Sequence, residues 1–173
     1  LRALATLGES AAELVHEIKN PITAVNMALR AVADALGEDQ QQILDALAGL
    51  ALFSDLERPQ LQAVAHTMTE ESFPPGQRIL RQGFSGSGFF VILDGQVVVR
   101  VDGDDVATLG KGDFFGEISL LLGEPPVADV VAEGPVRALQ LAGPELREFL
   151  LAYPQVMYRM LQAVSRRLDR ANR

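Results

Sequence analysis

Two short runs bring reactive side chains together. The first is HEIKNPIT, His16 to Thr23, which carries His16, Glu17 and Asn20 ahead of a proline. An exposed imidazole beside a carboxylate can be held in one tautomer and made more nucleophilic, so His16 could accept a phosphoryl group. With Leu14 at position d and Ile18 at position a of a helical seam, His16 falls at f, farthest from a partner helix. Asn20 lies one turn further on the same side. Pro21 cannot donate to the Glu17 carbonyl, which predicts a bend beside the histidine. The competing reading is architectural, with the segment serving only to pair two chains. The second run is GEISLLLG, Gly116 to Gly123, which reads as a short helix inserted between two strands. The free N–H groups at such a helix start can hold an anion, and a nearby carboxylate can fix a sugar hydroxyl.

The elements that must position these groups follow from the periodicity. Apolar residues recur at Leu4, Leu7, Ala11, Leu14, Ile18, Val25, Ala28 and Val32, a three–four alternation typical of a coiled coil or bundle. Gly37 is expected to stop this helix. A second helix is expected from about Asp39, carrying Ile43, Leu44, Leu47, Leu50 and Leu52. Such a hairpin is too thin to bury both apolar faces, so pairing into a dimeric four-helix bundle is expected. A short helix with Pro59 in its first turn and a Leu61, Val64, Ala65, Met68 stripe is expected within residues 53–73. His66 lies there as a surface or core-edge residue.

From Pro74 to Leu141 the period changes to short β-rich runs separated by glycine turns: RIL, FFVIL, QVVVRV, VATL, VADVVA and VRALQL. Asp94-Gly95 and Asp102-Gly103 are hairpin signals. The pattern predicts a compact antiparallel barrel or jelly roll. After Gly143 the chain returns to helix, with a break at Pro154. The fold class is therefore α+β: a helical hairpin over residues 1–50, then a jelly roll with flanking helices over residues 51–173.

Composition narrows the function. The 173-residue chain has a net charge of −8 and only two lysines, which argues against nucleic acid as a partner. Arg166, Arg167, Arg170 and Arg173 cluster at a helix end, where cations oppose the macrodipole. The absence of cysteine excludes disulfides and thiolate metal sites, and two distant histidines make no zinc site. No apolar run approaches the ~20 residues needed to span a bilayer, so a cytoplasmic location without membrane contact is expected. A start at Leu1 rather than Met suggests a piece of a longer chain.

The run KGDFFGEISLLLGEPPVADVVA, Lys111 to Ala132, resembles the phosphate-binding cassette of cyclic nucleotide-binding domains. LRQGFSGSGFFVILDGQVVV upstream fits the same family's glycine pattern. The likeness runs from about Leu50 to Arg170 and implies an eight-stranded jelly roll flanked by helices, related to catabolite activator proteins and kinase regulatory subunits. It implies that Glu117 takes the ribose 2′-hydroxyl and that the Gly116 backbone lines the pocket beside Ile118. The family then places an arginine on the cyclic phosphate. Here the segment reads PPVADV: Pro126 stands at the arginine position, Val127 follows, and Asp129 replaces a small hydroxyl residue. Losing that arginine costs on the order of 2 to 5 kcal/mol, or roughly 30- to several-thousand-fold in affinity. An aspartate facing the pocket would add repulsion. Arg81, Arg100 and Arg137 are the candidate substitutes.

LATLGESAAELVHEIKNPITAVNMAL resembles the H-box of the dimerisation and phosphotransfer (HisKA) domain of sensor histidine kinases, over about residues 1–36. The resemblance implies that His16 is the phosphoacceptor, Glu17 its activating base, and Asn20 the residue that orients a water for dephosphorylating a response regulator. Nothing downstream resembles those kinases' ATP-binding domain.

The reading that joins these parts is a non-enzymatic cytoplasmic signalling protein: a homodimer coupling a degenerate sensor barrel to a histidine-kinase-type bundle. Its alternatives are a cyclic nucleotide receptor with rearranged phosphate contacts, and a phosphotransfer protein or response-regulator phosphatase using His16. A response regulator or kinase is the expected partner. No cofactor is demanded by the residues, and a cyclic nucleotide is the ligand the resemblance suggests. A DNA-binding regulator fits poorly, since no helix-turn-helix segment follows Arg170.

Overall fold

A computed structural model describes residues 21–84 and 88–173. His16, Glu17 and Asn20 lie outside the described residues. The chain divides into two compact units, Leu1–Ile43 and Leu44–Arg173. Helix α1 (Pro21–Ala48) is continuous through Gly37, so the turn expected there, and with it the two-helix hairpin, is not formed among the described residues. Gly37 lacks the left-handed φ of a helix stop. An interior glycine costs about 1 kcal/mol against alanine, and the Ala- and Leu-rich flanks absorb that. In the first unit Val25, Leu29, Val32 and Leu36 are all more than half exposed. No described helix is long and apolar enough to cross a membrane.

In the second unit, Leu47, Leu50, Leu52 and Phe53 are buried ahead of helix α2 (Arg58–Thr67). Pro59 occupies the first turn of α2, and Glu57 and Gln60 close a capping box, with the Glu57 N–H donating to Gln60 Oε1 at 3.0 Å. Eight strands follow: β1 (Thr69–Phe73), β2 (Arg78–Leu80), β3 (Gly88–Asp94), β4 (Val97–Val101), β5 (Asp104–Leu109), β6 (Phe114–Phe115), β7 (Asp129–Ala132) and β8 (Val136–Ala142). They form two four-stranded sheets, ordered β1-β8-β3-β6 and β2-β7-β4-β5, with every pairing antiparallel. Helix α3 (Glu117–Leu122) interrupts the strands between β6 and β7. Helices α4 (Leu146–Ala152) and α5 (Pro154–Ala171) close the chain, parted at Pro154 as its ring requires.

The sandwich core follows from the period-two alternation of strands. Phe90 and Ile92 point inward from β3, joining Phe73, Phe115, Val130 and Val136. The Phe90 and Phe115 rings stack at 5.0 Å, and Phe73 meets Phe90 edge-on at 6.0 Å. Phe89 and Val91, on the opposite face of β3, are also fully buried. That face is covered too, with Phe89 against Phe114 at 5.7 Å. Arg159 of α5 holds Asp55 through two bonds of 2.6 and 2.9 Å, which tethers the start of α5 near the turn at Ala51–Phe53.

Two expectations about strands are corrected. TEESF, assigned above to a helical region, forms β1, and Glu70 pairs with Arg137 across the β1–β8 ladder at 2.6 Å. Asp94-Gly95 does not make a hairpin, because β3 and β4 lie in different sheets. Asp102-Gly103 does make one, with φ positive at both residues and Val101 opposite Asp104.

Gly95 and Gly103 separate strain from space. Both hold a φ near +90°, but a Cβ on Gly95 would lie 2.3 Å from the Pro135 carbonyl oxygen, whereas one on Gly103 would meet nothing. Gly103→Ala is expected to lose only the left-handed strain, about 1–2 kcal/mol, and Gly95→Ala distinctly more. Urea denaturation of the two variants checks this; equal losses would contradict it.

Candidate functional site

The inner face of the β2-β7-β4-β5 sheet, the α3 segment and α5 enclose a cavity of about 200 Å³. Its floor is apolar: Leu80, Val99, Ala107, Leu109 and Val130. Its rim is the chain from Phe115 to Ser119 and from Pro126 to Ala128, and Arg167 reaches in from α5. Five of the residues selected from the sequence thus come together here: Gly116, Glu117, Ile118, Pro126 and Val127.

Gly116 makes the corner possible. Its φ is +91°, and a Cβ there would stand 2.2 Å from the Gly88 carbonyl oxygen, since β3 runs directly beneath. The corner turns the chain out of β6 and directs the next side chain, Glu117, inward at the start of α3. Ser119 Oγ donates to the Gly116 carbonyl at 3.1 Å and pins the turn.

Glu117 is 3% exposed. A buried carboxylate must be hydrogen-bonded and paired, and Arg167 does this. Its Nη1 donates to Glu117 Oε1 at 3.2 Å and its Nη2 donates to the Phe114 carbonyl at 2.7 Å. The guanidinium carbon lies 4.4 Å above the Phe114 ring, a cation–π placement. Burial pushes the Glu117 carboxyl above the usual carboxylate range, opposed by its own backbone N–H and by Arg167. Arg167 was grouped above with the cations that end a helix. Its sequence neighbourhood carries no sign of the site, because the partners are fifty or more residues away.

The Pro126–Val127 side of the cavity differs from the expectation at one residue, Asp129. Pro126 and Val127 line it and bring no charge. Asp129 does not line it. Along β7 Val130 and Ala132 are the buried positions, so Asp129 falls on the other face of the strand. There its Oδ1 accepts from the Gln82 N–H at 2.7 Å, and Arg78 lies 3.5 Å away. The anticipated repulsion is therefore absent, the carboxylate having local partners. The three candidate substitute arginines are elsewhere: Arg100 pairs with Asp105, Arg137 with Glu70, and Arg81 is exposed. Among the described residues the cavity's charged groups are Glu117 and Arg167, which satisfy each other.

A carboxyl with a raised folded pKa binds its proton more tightly folded than unfolded, so its contribution to stability falls as pH rises. The fall starts at the unfolded glutamate value of about 4.3 and ends at the raised folded value. Relative to Glu117→Gln, the natural chain is expected to lose stability across that window and then run level. Thermal unfolding in steps from about pH 4 to pH 8 measures this; a natural chain that gains on the variant over the window would contradict it.

Residues 70–153 match the family model of the cyclic nucleotide-binding domain. Over 104 residues the chain is 36% identical to a cGMP-dependent protein kinase of Caenorhabditis briggsae; the match covers 57% of this chain but 14% of that kinase. Two solved structures are regulatory subunits of cAMP-independent protein kinases A. One, from Trypanosoma brucei, is a triple variant bound to cAMP; it is 30% identical with a TM-score of 0.63, covering 73% of this chain and 47% of that one. The other, from Trypanosoma cruzi and bound to guanosine, is 25% identical with a TM-score of 0.62, covering 73% and 46%. The chain thus spans a small part of its curated relatives and about half of these structures, and its residues 70–153 form a domain of the cyclic nucleotide-binding type.

Proposed function

We propose that the second unit is the sensor of a signalling protein, whose cavity keeps the sugar-binding half of a cyclic nucleotide site and has lost the phosphate-binding half. Its ligand is then a neutral nucleoside rather than a cyclic nucleotide. The observation that carries this is the charge balance of the cavity: Glu117 and Arg167 neutralise each other, and the Pro126–Val127 side offers no cation. Bringing a phosphate monoanion there would strip its water with no charge-assisted bond in return. A neutral base and sugar meet an apolar floor and one carboxylate able to accept from hydroxyls. Two relatives support the reading. The Trypanosoma cruzi subunit holds guanosine. The Trypanosoma brucei subunit, from a cAMP-independent kinase, holds cAMP in a variant where one substitution puts arginine in place of threonine.

The first unit enters the same proposal as the output. Val25, Leu29, Val32 and Leu36 repeat at four–three–four spacing on an exposed face of α1. That is the seam of a helix that pairs with its own copy. Homodimerisation through this stripe, with ligand state passed along the chain to the HEIKNPIT segment, is the signalling scheme we infer. Phosphoryl exchange at His16 with a response regulator is its furthest extension.

Calorimetry with guanosine, adenosine, cAMP and cGMP tests the sensor. A nucleoside is expected to bind the natural chain at least about 30-fold more tightly than either cyclic nucleotide. Pro126→Arg is expected to raise cyclic nucleotide affinity about tenfold or more. Tight cAMP binding by the natural chain, indifferent to Pro126→Arg, would contradict the reading. Sedimentation tests the dimer: Val32→Glu is expected to shift the chain to monomer, and an unchanged mass would rule out this stripe as the contact.

A further inference from the structure

Helix α5 is anchored at one end. Its buried residues are Val156 and Met160, both in its first half. Beyond Met160 no described side chain of the helix is buried, and Leu161 and Leu168 are exposed. The distal half is nevertheless held to the barrel, by Arg167. Two turns past Met160, about 10 Å along the axis, this side chain enters the cavity and takes Glu117, the Phe114 carbonyl and the Phe114 ring.

The carboxylate that grips Arg167 is the one assigned to the ligand's sugar. Glu117 Oε1 accepts from Arg167 and has 3% of its residue surface open to solvent. We propose that Arg167 is a tethered stand-in for the sugar, so that a ligand entering the cavity and release of the distal half of α5 are one event. Without ligand, withdrawing Arg167 would leave a buried carboxylate unpaired, which strongly disfavours the open state. A ligand whose hydroxyls donate to Glu117 removes that penalty; one with no such donors does not. Linkage then makes the effect reciprocal: whatever frees the end of α5 raises ligand affinity, because the apparent affinity is scaled by the fraction of chains already open. The cavity therefore reports its occupancy as helix freedom, in the opposite sense to a helix that closes over its ligand. The inference rests on the nucleoside reading for the choice of probe, not for the latch itself.

The chain has no cysteine, so a spin label at Asn172→Cys reports the end of α5 in an otherwise unaltered chain. In the unliganded chain, Arg167→Ala and Glu117→Gln are each expected to raise label mobility and to speed amide exchange over residues 162–171, by about tenfold for Arg167→Ala. Saturating guanosine is expected to do the same to the natural sequence. Arg167→Ala is also expected to bind guanosine several-fold more tightly, since the competitor is gone. Unchanged label mobility and exchange in both unliganded variants would overturn the latch even if no nucleoside bound. Weaker guanosine binding by Arg167→Ala would overturn the stand-in role and make Arg167 part of the ligand's own contacts. If guanosine fails to bind any form while the unliganded variants loosen α5, the latch stands and the nucleoside reading falls.

Discussion

A carboxylate with almost no access to water must find a donor, and the second unit is organised around that need. Glu117 is directed inward because Gly116 takes a left-handed turn that no other residue could make against β3. Once inside, it is satisfied by a guanidinium arriving from fifty residues away. This pair ties α5 to the cavity rim and sets the chemistry available to anything that enters. Burial raises the carboxyl's pKa, so the pair is a costly one to leave half made.

The opposite side of the cavity carries no charged side chain. A proline and a valine line it, and the nearby aspartate serves a backbone N–H on the outer face of β7. Gly83 donates to the Pro126 carbonyl at 2.8 Å, fixing this edge to the loop after β2. This edge is thus held by a backbone hydrogen bond and offers no cation at Pro126 or Val127. A paired carboxylate, an apolar floor and an uncharged edge are the features on which the proposal of a neutral ligand rests.

Much of this was legible in the chain because local rules governed it. The β-rich runs of β2, β3, β4, β5 and β8, the Asp102-Gly103 hairpin, the α3 insert and the break at Pro154 each depend on a few neighbouring residues. The misreadings share a different cause. TEESF resembled helix surface because its strand character comes from pairing with β8. Asp94-Gly95 makes a turn, but which sheet the next strand joins is a tertiary matter. Gly37 reads as a stop until the length of helix on both sides outweighs one glycine. Gly116, Glu117, Ile118, Pro126 and Val127, singled out by the cassette's spacing, line the cavity, whereas Asp129 falls on the other face of β7. Arg167 could not be found from its neighbours at all, since its role is defined by contacts across the fold.

The most direct measurement is electron density beside Glu117 in crystals of the full chain grown with guanosine and, separately, with cAMP. The account predicts a nucleoside whose sugar hydroxyls lie within hydrogen-bonding distance of the Glu117 carboxylate, with Arg167 withdrawn and the end of α5 displaced; the cAMP crystals should show Arg167 still in place. A cyclic phosphate held by a guanidinium within the cavity, or a bound nucleoside that leaves the Arg167–Glu117 pair intact, would contradict it.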